Sequence, residues 1–423
     1  MEKIGNHIFG ELTLWEKIEL AAMMLMTMSI VISWRLGIWA LLALCGTAAL
    51  KSIITRKIGN PALSRMGQVS LCLMMAYFAI YAVSVVWSSD RQEGLAEVGK
   101  KLPLLIMPLT ILISDLRYLK PKHLTAFTFL IAATLTARFL VMLIRALMSF
   151  SHGTPVSELI DFHFDPLHHN YLALYLISSV ASLYVQLSQH WEEASWRHQR
   201  WLILADMAVL TFYMVIMGSR SGLVVLVLLI AACMVHLAVV RKKRLIAIVV
   251  VGVFAVFVGT TYLAMPKLYW RIIYSAQQMA EGKRSDSREV LWLSGIEVLE
   301  GHEIIGLGCG GYWSQLHERY VAHNFAEGFL HEQYSTHNQY IETALATGFV
   351  GLAVMIGMIM LPLIMALKKP QRILSLLLYT IVYASFLIFE DMFARQMGLL
   401  FICWWYGILL VIPTSKQKAL SRT

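Results

Sequence analysis

Charged side chains are scarce in this sequence. Asp, Glu, Lys and Arg make up 14% of its 423 residues, whereas a soluble domain carries about 25%. Hydrophobic residues make up 58%, and the mean hydropathy is +0.65. This deficit of charge excludes an ordinary soluble domain and predicts a polytopic membrane protein.

Cysteine is also scarce and is badly placed for cross-linking. Five cysteines occur, and Cys45, Cys72, Cys233 and Cys403 fall within apolar runs. Cys309 stands alone in the one long polar segment, so no disulfide can close within that segment. We therefore expect neither a disulfide framework nor a cysteine-based metal site.

Long apolar runs predict about twelve transmembrane helices, because a helix needs about 20 apolar residues to cross a bilayer. The runs lie near residues 18–34, 36–50, 67–88, 102–114, 124–149, 170–188, 201–217, 222–240, 245–264, 338–367, 372–390 and 397–413. The run at 102–114 is short and contains Pro103 and Pro108, which predicts a kinked or tilted helix. The expected fold class is therefore an all-α polytopic membrane protein.

Basic residues predict the orientation of these helices, since cytoplasmic connections are richer in Lys and Arg than outer ones. With the N-terminus in the cytoplasm, the inner connections hold basic clusters such as those at 51–65, 117–122 and 241–244, and the outer connections hold fewer. Both termini then lie inside. This bias explains the net charge of +9, and we do not expect nucleic-acid binding, because no basic patch is interleaved with aromatic residues on a soluble domain.

One long polar segment, at about residues 265–336, interrupts the apolar runs and is predicted to lie on the outer face. It divides the chain into transmembrane helices 1–9 at residues 1–264, an outer loop subdomain at 265–336, and helices 10–12 with a short cytoplasmic tail at 337–423. Long ordered loops usually carry function. We therefore expect a site in this loop and at the helix ends beside it.

Two helices and a tight turn are predicted within the loop. Residues 267–279 carry the interfacial aromatic side chains typical of a helix that lies on the membrane. Asp286 as N-cap, with Glu289 three residues later, predicts the start of a second helix. The glycine run at 306–311 predicts a tight turn. A nucleotide-binding loop is disfavoured there, because no strand precedes the run and no Lys-Ser or Lys-Thr pair follows it.

Arg220 lies in a very tight outer turn, Gly-Ser-Arg-Ser-Gly at residues 218–222. One interpretation is an interfacial anchor that extends its charge to water. The other is a clamp for a lipid phosphate, because a guanidinium matches phosphate oxygens bidentately. The positive-inside bias disfavours a basic residue on this side, which favours the clamp.

Arg288 falls in the first turn of the second loop helix. The free backbone amides and the positive end of the helix dipole favour an anion there. An arginine at this end is easier to explain if an anion is bound. A salt bridge to Asp286 or Glu289 is the alternative.

His337 lies where the loop meets the membrane and is the candidate proton acceptor. The unperturbed pKa of a histidine, about 6.5, suits a general base near neutrality. A polar cap at the start of a helix is the alternative. His323 and His331 lie nearby in the sequence and weaken the assignment.

Residues 161–170 hold two aspartates and three histidines before the sixth predicted span. A metal cluster is one interpretation, but the spacing matches no closed zinc pattern, so no metal site is predicted. A loop that lines the substrate is favoured, with His168 and His169 at the start of the helix.

Arg138 and Arg145 lie within the fifth predicted span, seven residues apart and so on one helix face. An arginine in mid-membrane costs about 2.5–3.5 kcal/mol and normally faces the protein interior or a wet cavity. Both could attract a diphosphate inward. Alternatively, Arg145 extends its charge to the outer surface.

Together these features resemble the O-antigen ligase and O-antigen polymerase superfamily of bacterial cell envelopes, over nearly the whole chain. The shared features are about twelve spans, a large outer loop before the third-last span, the Gly-Ser-Arg-Ser-Gly turn, Ser-Arg-Glu-x-x-Trp at 287–292, Gly-x-Gly-x-Gly at 306–310, His337-Asn338-Gln339-Tyr340 followed by Gly348 and Gly351, and His168-His169-Asn170-Tyr171.

The resemblance implies a membrane-embedded, GT-C-like glycosyltransferase that needs no metal and no cofactor. It implies transfer of a glycan from undecaprenyl diphosphate to a sugar hydroxyl of lipid A–core or another glycan, on the periplasmic face of the bacterial inner membrane. By the same resemblance, Arg220 and Arg288 hold the diphosphate and His337 serves the acceptor. The residues expected to line the substrate site are Arg138, Arg145, His168, His169 and Asn338.

Three other functions stay open at this point. An enzyme of the same superfamily that attaches glycans to protein hydroxyls is one of them, but that class often carries extra soluble outer mass, which this sequence lacks. A polymerase of the same superfamily would use another lipid-linked glycan as acceptor, and sequence motifs separate it poorly from a ligase. A transporter belongs to a different class, but transporters tend to carry internal repeats and broken paired helices. The sequence has no visible repeat, and its polar residues gather near the outer surface.

Overall fold

A computed structural model gives the fold of the protein. It describes residues 9–151, 167–245, 248, 252, 256, 259, 260, 287–323, 325, 334–368 and 374–412. These residues form helices joined by short connections, and no strand occurs among them. The predicted interfacial helix at 267–279, the N-cap Asp286, and His331 lie outside the described residues.

The α-helices are numbered in chain order. They are α1 (Leu14–Ile32), α2 (Trp34–Thr55), α3 (Arg65–Val83), α4 (Arg91–Lys100), α5 (Pro103–Ile113), α6 (Pro121–Ser151), α7 (His169–His190), α8 (Arg197–Ile216), α9 (Arg220–Val235), α10 (Ser287–Leu299), α11 (Trp313–Ala322), α12 (Gln339–Lys368), α13 (Leu374–Phe389) and α14 (Gln396–Val411). A short 3₁₀ helix, Ser84–Trp87, follows α3, and a π-helical turn, His236–Val240, follows α9.

Seven of the described helices are long and apolar enough to cross a membrane, namely α2, α3, α6, α7, α8, α9 and α12. The apolar helices α13 and α14 are shorter. Helices coincide with eleven of the predicted apolar runs, and the run at 245–264 lies largely outside the described residues. The prediction of a helical membrane protein is confirmed, and the number of twelve crossings stays a prediction.

Helix α7 is the centre of the bundle. Every residue from Asn170 to Leu187 is buried, and α7 packs against α6, α8, α9 and α13. A helix that is buried on all sides is a core helix. Residues at its start are therefore held by the surrounding helix ends.

Helix α12 is broken at Gly348, which has φ 64° and ψ −167°. A Cβ at this position would lie 2.2 Å from the carbonyl oxygen of Ile304, so only glycine fits. The amides of Leu307 and Gly308 donate to the carbonyls of Leu345 and Ala346 at 2.8 and 3.1 Å. The first part of α12, residues 339–347, is thus a separate half-helix braced by the loop.

The glycine run at 306–311 packs its backbone against the 3₁₀ helix and the segment that follows it. The amide of Cys309 donates to Ser84 Oγ at 3.2 Å, and the amide of Gly310 donates to Ser88 Oγ at 2.9 Å. A Cβ on Gly310 would lie 2.2 Å from the carbonyl oxygen of Asp90. The run therefore serves close packing, and these two amides are not available to a phosphate.

Candidate functional site

His337 lies at the junction of the loop and α12 in a left-handed backbone conformation, with φ 49°. Its neighbours hold it there. The amide of Thr336 donates to Glu342 Oε1 at 2.8 Å, and Asn338 Oδ1 accepts from the amides of Tyr340 and Ile341 at 2.9 and 3.2 Å. Residues other than glycine rarely adopt positive φ, and those that do cluster at functional sites.

The imidazole of His337 pairs with a buried carboxylate. Its Nδ1 lies 3.2 Å from Glu390 Oε1 and 3.8 Å from Asp391 Oδ1. The side chain of Glu390 is 5% exposed and that of His337 is 26% exposed. In the tautomer in which Nδ1 donates to the carboxylate, Nε2 is the proton-accepting nitrogen.

Asn170, at the start of α7, links Glu390 to the Gly-Ser-Arg-Ser-Gly turn. Its Nδ2 donates to Glu390 Oε2. Its Oδ1 accepts from the hydroxyls of Ser219 and Ser221, each at 2.8 Å. A continuous hydrogen-bonded chain thus runs from the turn, through Asn170 and Glu390, to His337.

Arg220 is the first residue of α9, and its side chain is exposed. Ser219 caps the helix by accepting from the amide of Gly222 at 3.1 Å. A Cβ on Gly222 would meet Met214 Sδ at 2.9 Å and Ala173 Cβ at 3.0 Å. Glycine therefore allows the turn to press against α7, which fixes where the arginine begins.

Arg288 is the second residue of α10. Its guanidinium carbon lies 5.7 Å from the ring centroid of Phe389, the residue before Glu390. Helix α10 packs on the half-helix of α12, and a Cβ on Gly295 would lie 2.6 Å from Ile341 Cγ2. This packing brings the start of α10 to the Glu390 side of the site.

His168 and His169 stack on each other with ring centroids 4.3 Å apart. The imidazole of His169 lies within electrostatic range of Glu390, Arg288, Arg220 and His337. The structure therefore gathers the two predicted arginines and the predicted proton acceptor around the start of α7.

Two of the carboxyl groups at this site have displaced pKa values in opposite directions. Burial raises the pKa of Glu390, but the hydrogen bond and charge of His337 outweigh it and lower this pKa to about 2. Burial and the negative charge of Glu390 raise the pKa of Asp391 well above its usual range. Of the two neighbouring carboxyl groups, Glu390 is therefore the one that ionises more readily.

His168 is uncharged at neutral pH. Burial, together with the charge of His169, lowers the pKa of His168 to about 4. The neutral imidazole of His168 adds no positive charge beside His169, on which the charges of Arg220 and Arg288 act. Its role there is to shape the wall next to His169.

His337, Glu390 and Asp391 form the one group of possible metal ligands among the described residues, with their ligand atoms within 4.8 Å of one another. Both Glu390 oxygens already take part in hydrogen bonds, with His337 and Asn170. A metal would also need Asp391 deprotonated. A cation could bind only if these arrangements were given up.

The two arginines predicted in the fifth span lie on α6. Arg138 Nη1 donates to the carbonyls of Val31 and Ile32 at 2.9 and 3.1 Å. These contacts cap the end of α1, which is a structural reason for this arginine. The side chain of Arg145 is exposed. A contact of either with a substrate stays a prediction.

Other sequence candidates have simpler explanations. His323 Nε2 contacts the carboxylate of Glu297 at 3.0 Å and joins α11 to α10. Residues 161–166 lie outside the described residues. Helix α10 begins at Ser287, one residue after the predicted N-cap.

Glu390 and Asp391 were not among the residues that the sequence pointed to. The available signal was a pair of adjacent carboxylates at the end of an apolar run, with Arg395 as the next charged residue. Two adjacent carboxyl groups at a helix end within an apolar protein need hydrogen-bonding or charged partners. The partners themselves, His337 and Asn170, cannot be read from a linear sequence.

Residues 205–356 match a family model described as O-Antigen ligase. The matched segment contains Arg220, Arg288 and His337, whereas Asn170 and Glu390 lie outside it. No curated protein matches the chain.

Proposed function

We propose that the chain is a glycosyltransferase of the O-antigen ligase and polymerase superfamily that acts on a lipid-linked glycan, because residues 205–356 match the family model described as O-Antigen ligase. The donor is a glycan on undecaprenyl diphosphate. The acceptor is a sugar hydroxyl of lipid A–core. The observation that carries the proposal is the hydrogen-bonded chain that connects the Arg220 turn, through Asn170 and Glu390, to His337.

Arg220 and Arg288 bind the diphosphate of the donor. Each lies in the first turn of a helix, α9 and α10 respectively, where the helix dipole and free amides also favour an anion. Negative charge grows on the bridging oxygen as the glycosidic bond breaks. Preorganised positive groups stabilise this charge, which is usually the largest single term in catalysis.

His337 accepts the proton of the acceptor hydroxyl. As the O–H bond breaks, the proton moves to Nε2 of His337, and the oxygen forms a bond to the anomeric carbon. The anomeric bond to the diphosphate breaks, and its electron pair leaves on the diphosphate. Attack opposite the leaving group gives inversion at the anomeric carbon.

Glu390 positions His337 for this step. Its carboxylate holds Nδ1 and stabilises the imidazolium that forms when Nε2 takes the proton. Asn170 fixes the carboxylate in turn. This arrangement needs neither a nucleotide nor a metal, because the lipid diphosphate is itself the leaving group.

The site faces the periplasm in this proposal, and the protein lies in the inner membrane with both termini in the cytoplasm. The positive-inside bias of the sequence supports that orientation. A lipid-linked donor is suited to a compartment without nucleotide sugars.

The test uses purified protein in lipid nanodiscs with lipid-linked glycan and lipid A–core, in the presence of a chelator and without nucleotide. The expected result is a coupled product whose formation is lost in Arg220→Ala. A product that forms equally with Arg220→Ala, or no product at all, would reject the proposal.

A polymerase of the same superfamily is the second candidate, because the family match covers both activities. A chromosomal deletion separates the two. Long lipid-linked chains that stay unattached support the ligase, and single lipid-linked repeat units support the polymerase.

A further inference from the structure

A cleft of about 640 Å³ lies at the opposite end of α10 from Arg288. Its walls come from two distant parts of the chain. One wall is formed by Trp87, at the end of the 3₁₀ helix, and by Ser89 after it. The other is formed by residues 301–307 and Gly311 in the connection from α10 to α11, and by Gln315 in α11. The backbone packing of the glycine run at 306–311 holds these walls together.

The side chains in this cleft suit a saccharide. Trp87 is 37% exposed and offers an aromatic face, while Glu303, Gln315 and His302 offer polar groups. Sugar rings pack their C–H faces on an indole, and their hydroxyls bond to carboxylate and amide groups. A volume of 300–1,000 Å³ with an aromatic surface and few polar groups is typical of small-ligand sites.

The lip of the cleft is apolar and continuous with a membrane-spanning helix. Ile304 is 72% exposed and Ile305 is 51% exposed. The amides of Phe349 and Val350 donate to the carbonyls of Glu303 and Ile304 at 2.6 and 3.3 Å. Phe349 and Val350 are also exposed and begin the apolar second part of α12. A polar cleft beside a lipid-facing lip fits a ligand that is part sugar and part lipid.

We propose that this cleft binds the saccharide of the membrane-anchored acceptor glycolipid. The inference rests on the proposed function. In the donor, the sugar next to the lipid is the one attached to the diphosphate, which is assigned to Arg288, and the remaining residues of α10 separate the cleft from that arginine by about 17 Å. A sugar held next to a lipid in this cleft therefore belongs to the acceptor. The middle of α10 meets Thr336, the neighbour of His337, at Gly295. An acceptor oligosaccharide that leaves the cleft along α10 therefore reaches His337 from the side opposite the arginines.

The kinetic test compares Trp87→Ala with Trp191→Ala in nanodiscs. Trp191 is a matched control, because it is 38% exposed and follows the far end of α7 from His169. Trp87→Ala is expected to raise KM for lipid A–core about tenfold, the change expected from the loss of one aromatic contact. KM for the donor, and kcat at saturating acceptor, are expected to stay unchanged. Equal effects of the two variants, or a raised KM for the donor, would overturn the proposal.

A binding test separates this inference from the proposed reaction. Three probes are bound to the protein in nanodiscs, namely lipid A–core, lipid A without core sugars, and the undecaprenyl-diphosphate glycan. Trp87→Ala is expected to weaken only the first. This result would support a saccharide site in the cleft even if the unsubstituted protein transfers no glycan. In that case only the proposed reaction is rejected. Equal weakening of lipid A without sugars would identify Trp87 as a membrane anchor and overturn the saccharide site.

Discussion

Two buried carboxylates lie in different regions of this protein, and their partners differ in kind. Glu19, 1% exposed, contacts Lys51 Nζ at 2.6 Å and accepts from the hydroxyls of Ser114 and Tyr118. Glu390, 4% exposed, contacts His337 and Asn170. Both are fully paired, yet only one has a partner that can exchange a proton with a ligand.

The Glu19 network is closed. Lys51 is 5% exposed, it also donates to the carbonyl of Asp115 at 2.8 Å, and its ammonium lies 4.6 Å from the ring of Tyr118. The side chains that contact the Glu19 carboxylate, namely Lys51, Ser114 and Tyr118, are all buried. A closed buried ion pair joins α1 to α2 and to the connection after α5, which is a structural task.

The Glu390 network is open at one end. His337 is partly exposed, and the charges of Arg220, Arg288 and His337 all act on His169. A buried carboxylate therefore indicates a catalytic role only when its partner is titratable and exposed. Four predictions test this distinction, in order of decreasing expected effect.

Arg220→Ala and Arg288→Ala are each expected to lower the rate of glycan transfer by about 1,000-fold, since each removes a preorganised positive group. The readout is product formation per milligram of folded protein in nanodiscs. Arg117→Ala is the control, because Arg117 is an exposed arginine paired with Asp115 by a local salt bridge. It is expected to keep full activity. Comparable losses in all three variants would show that the site arginines have no special role.

Glu390→Gln is expected to lower kcat by about 100-fold, because a neutral amide cannot stabilise the imidazolium of His337. KM for both substrates is expected to change little. The unfolding temperature is expected to fall, because the lowered pKa of Glu390 means that the folded protein stabilises its carboxylate, so kcat is compared per folded molecule. Glu390→Asp should recover part of kcat. A loss of stability with kcat per folded molecule preserved would contradict the assignment.

Glu19→Gln is expected to show the opposite pattern. It leaves the Lys51 charge buried without its partner, which costs about 3–5 kcal/mol of stability. Activity per folded molecule is expected to stay the same. The control is the double variant Glu19→Gln with Lys51→Met, which removes both charges and should regain most of the stability. If the single variant unfolds normally but loses transfer activity, the comparison between the two regions fails.

The sequence was sufficient for the parts of this picture that depend on local pattern. Apolar runs predicted the positions of helices because the backbone hydrogen bonds of a membrane helix all form within one segment of the chain. The Gly-Ser-Arg-Ser-Gly turn and His337 were found because each follows or precedes an apolar run. The break at Gly348 was not predicted, since it is imposed by the carbonyl of Ile304 and not by a neighbour in the sequence.

The missed residues depend on contacts between distant segments. Asn170 and Glu390 are 220 residues apart, and Glu390 and His337 are 53 residues apart. The hydrogen bonds from Arg138 to the end of α1, whose carbonyls lie more than 100 residues earlier, were likewise not predicted. Which polar groups meet at a helix end is decided by the packing of the bundle, and a single sequence contains no record of that packing.

Asp391→Asn is expected to have the smallest effect. This effect is visible only in how the unfolding temperature depends on pH. The pKa of Asp391 is raised in the folded protein by burial and by Glu390. The stability from this group is therefore fully present below the unfolded pKa, about 3.9, and is lost as the pH rises towards the folded value. Because asparagine does not ionise, the unfolding temperature of the variant should exceed that of the unsubstituted protein by a margin that grows between pH 5 and pH 8. Asp115→Asn is the control, because Arg117 lowers the pKa of Asp115 instead of raising it, so its margin is not expected to grow over the same pH range. If the margin for Asp391→Asn were equal at pH 5 and pH 8, Asp391 would already be ionised at pH 5. The carboxylates of Glu390 and Asp391 would then be held by more positive charge than His337 supplies.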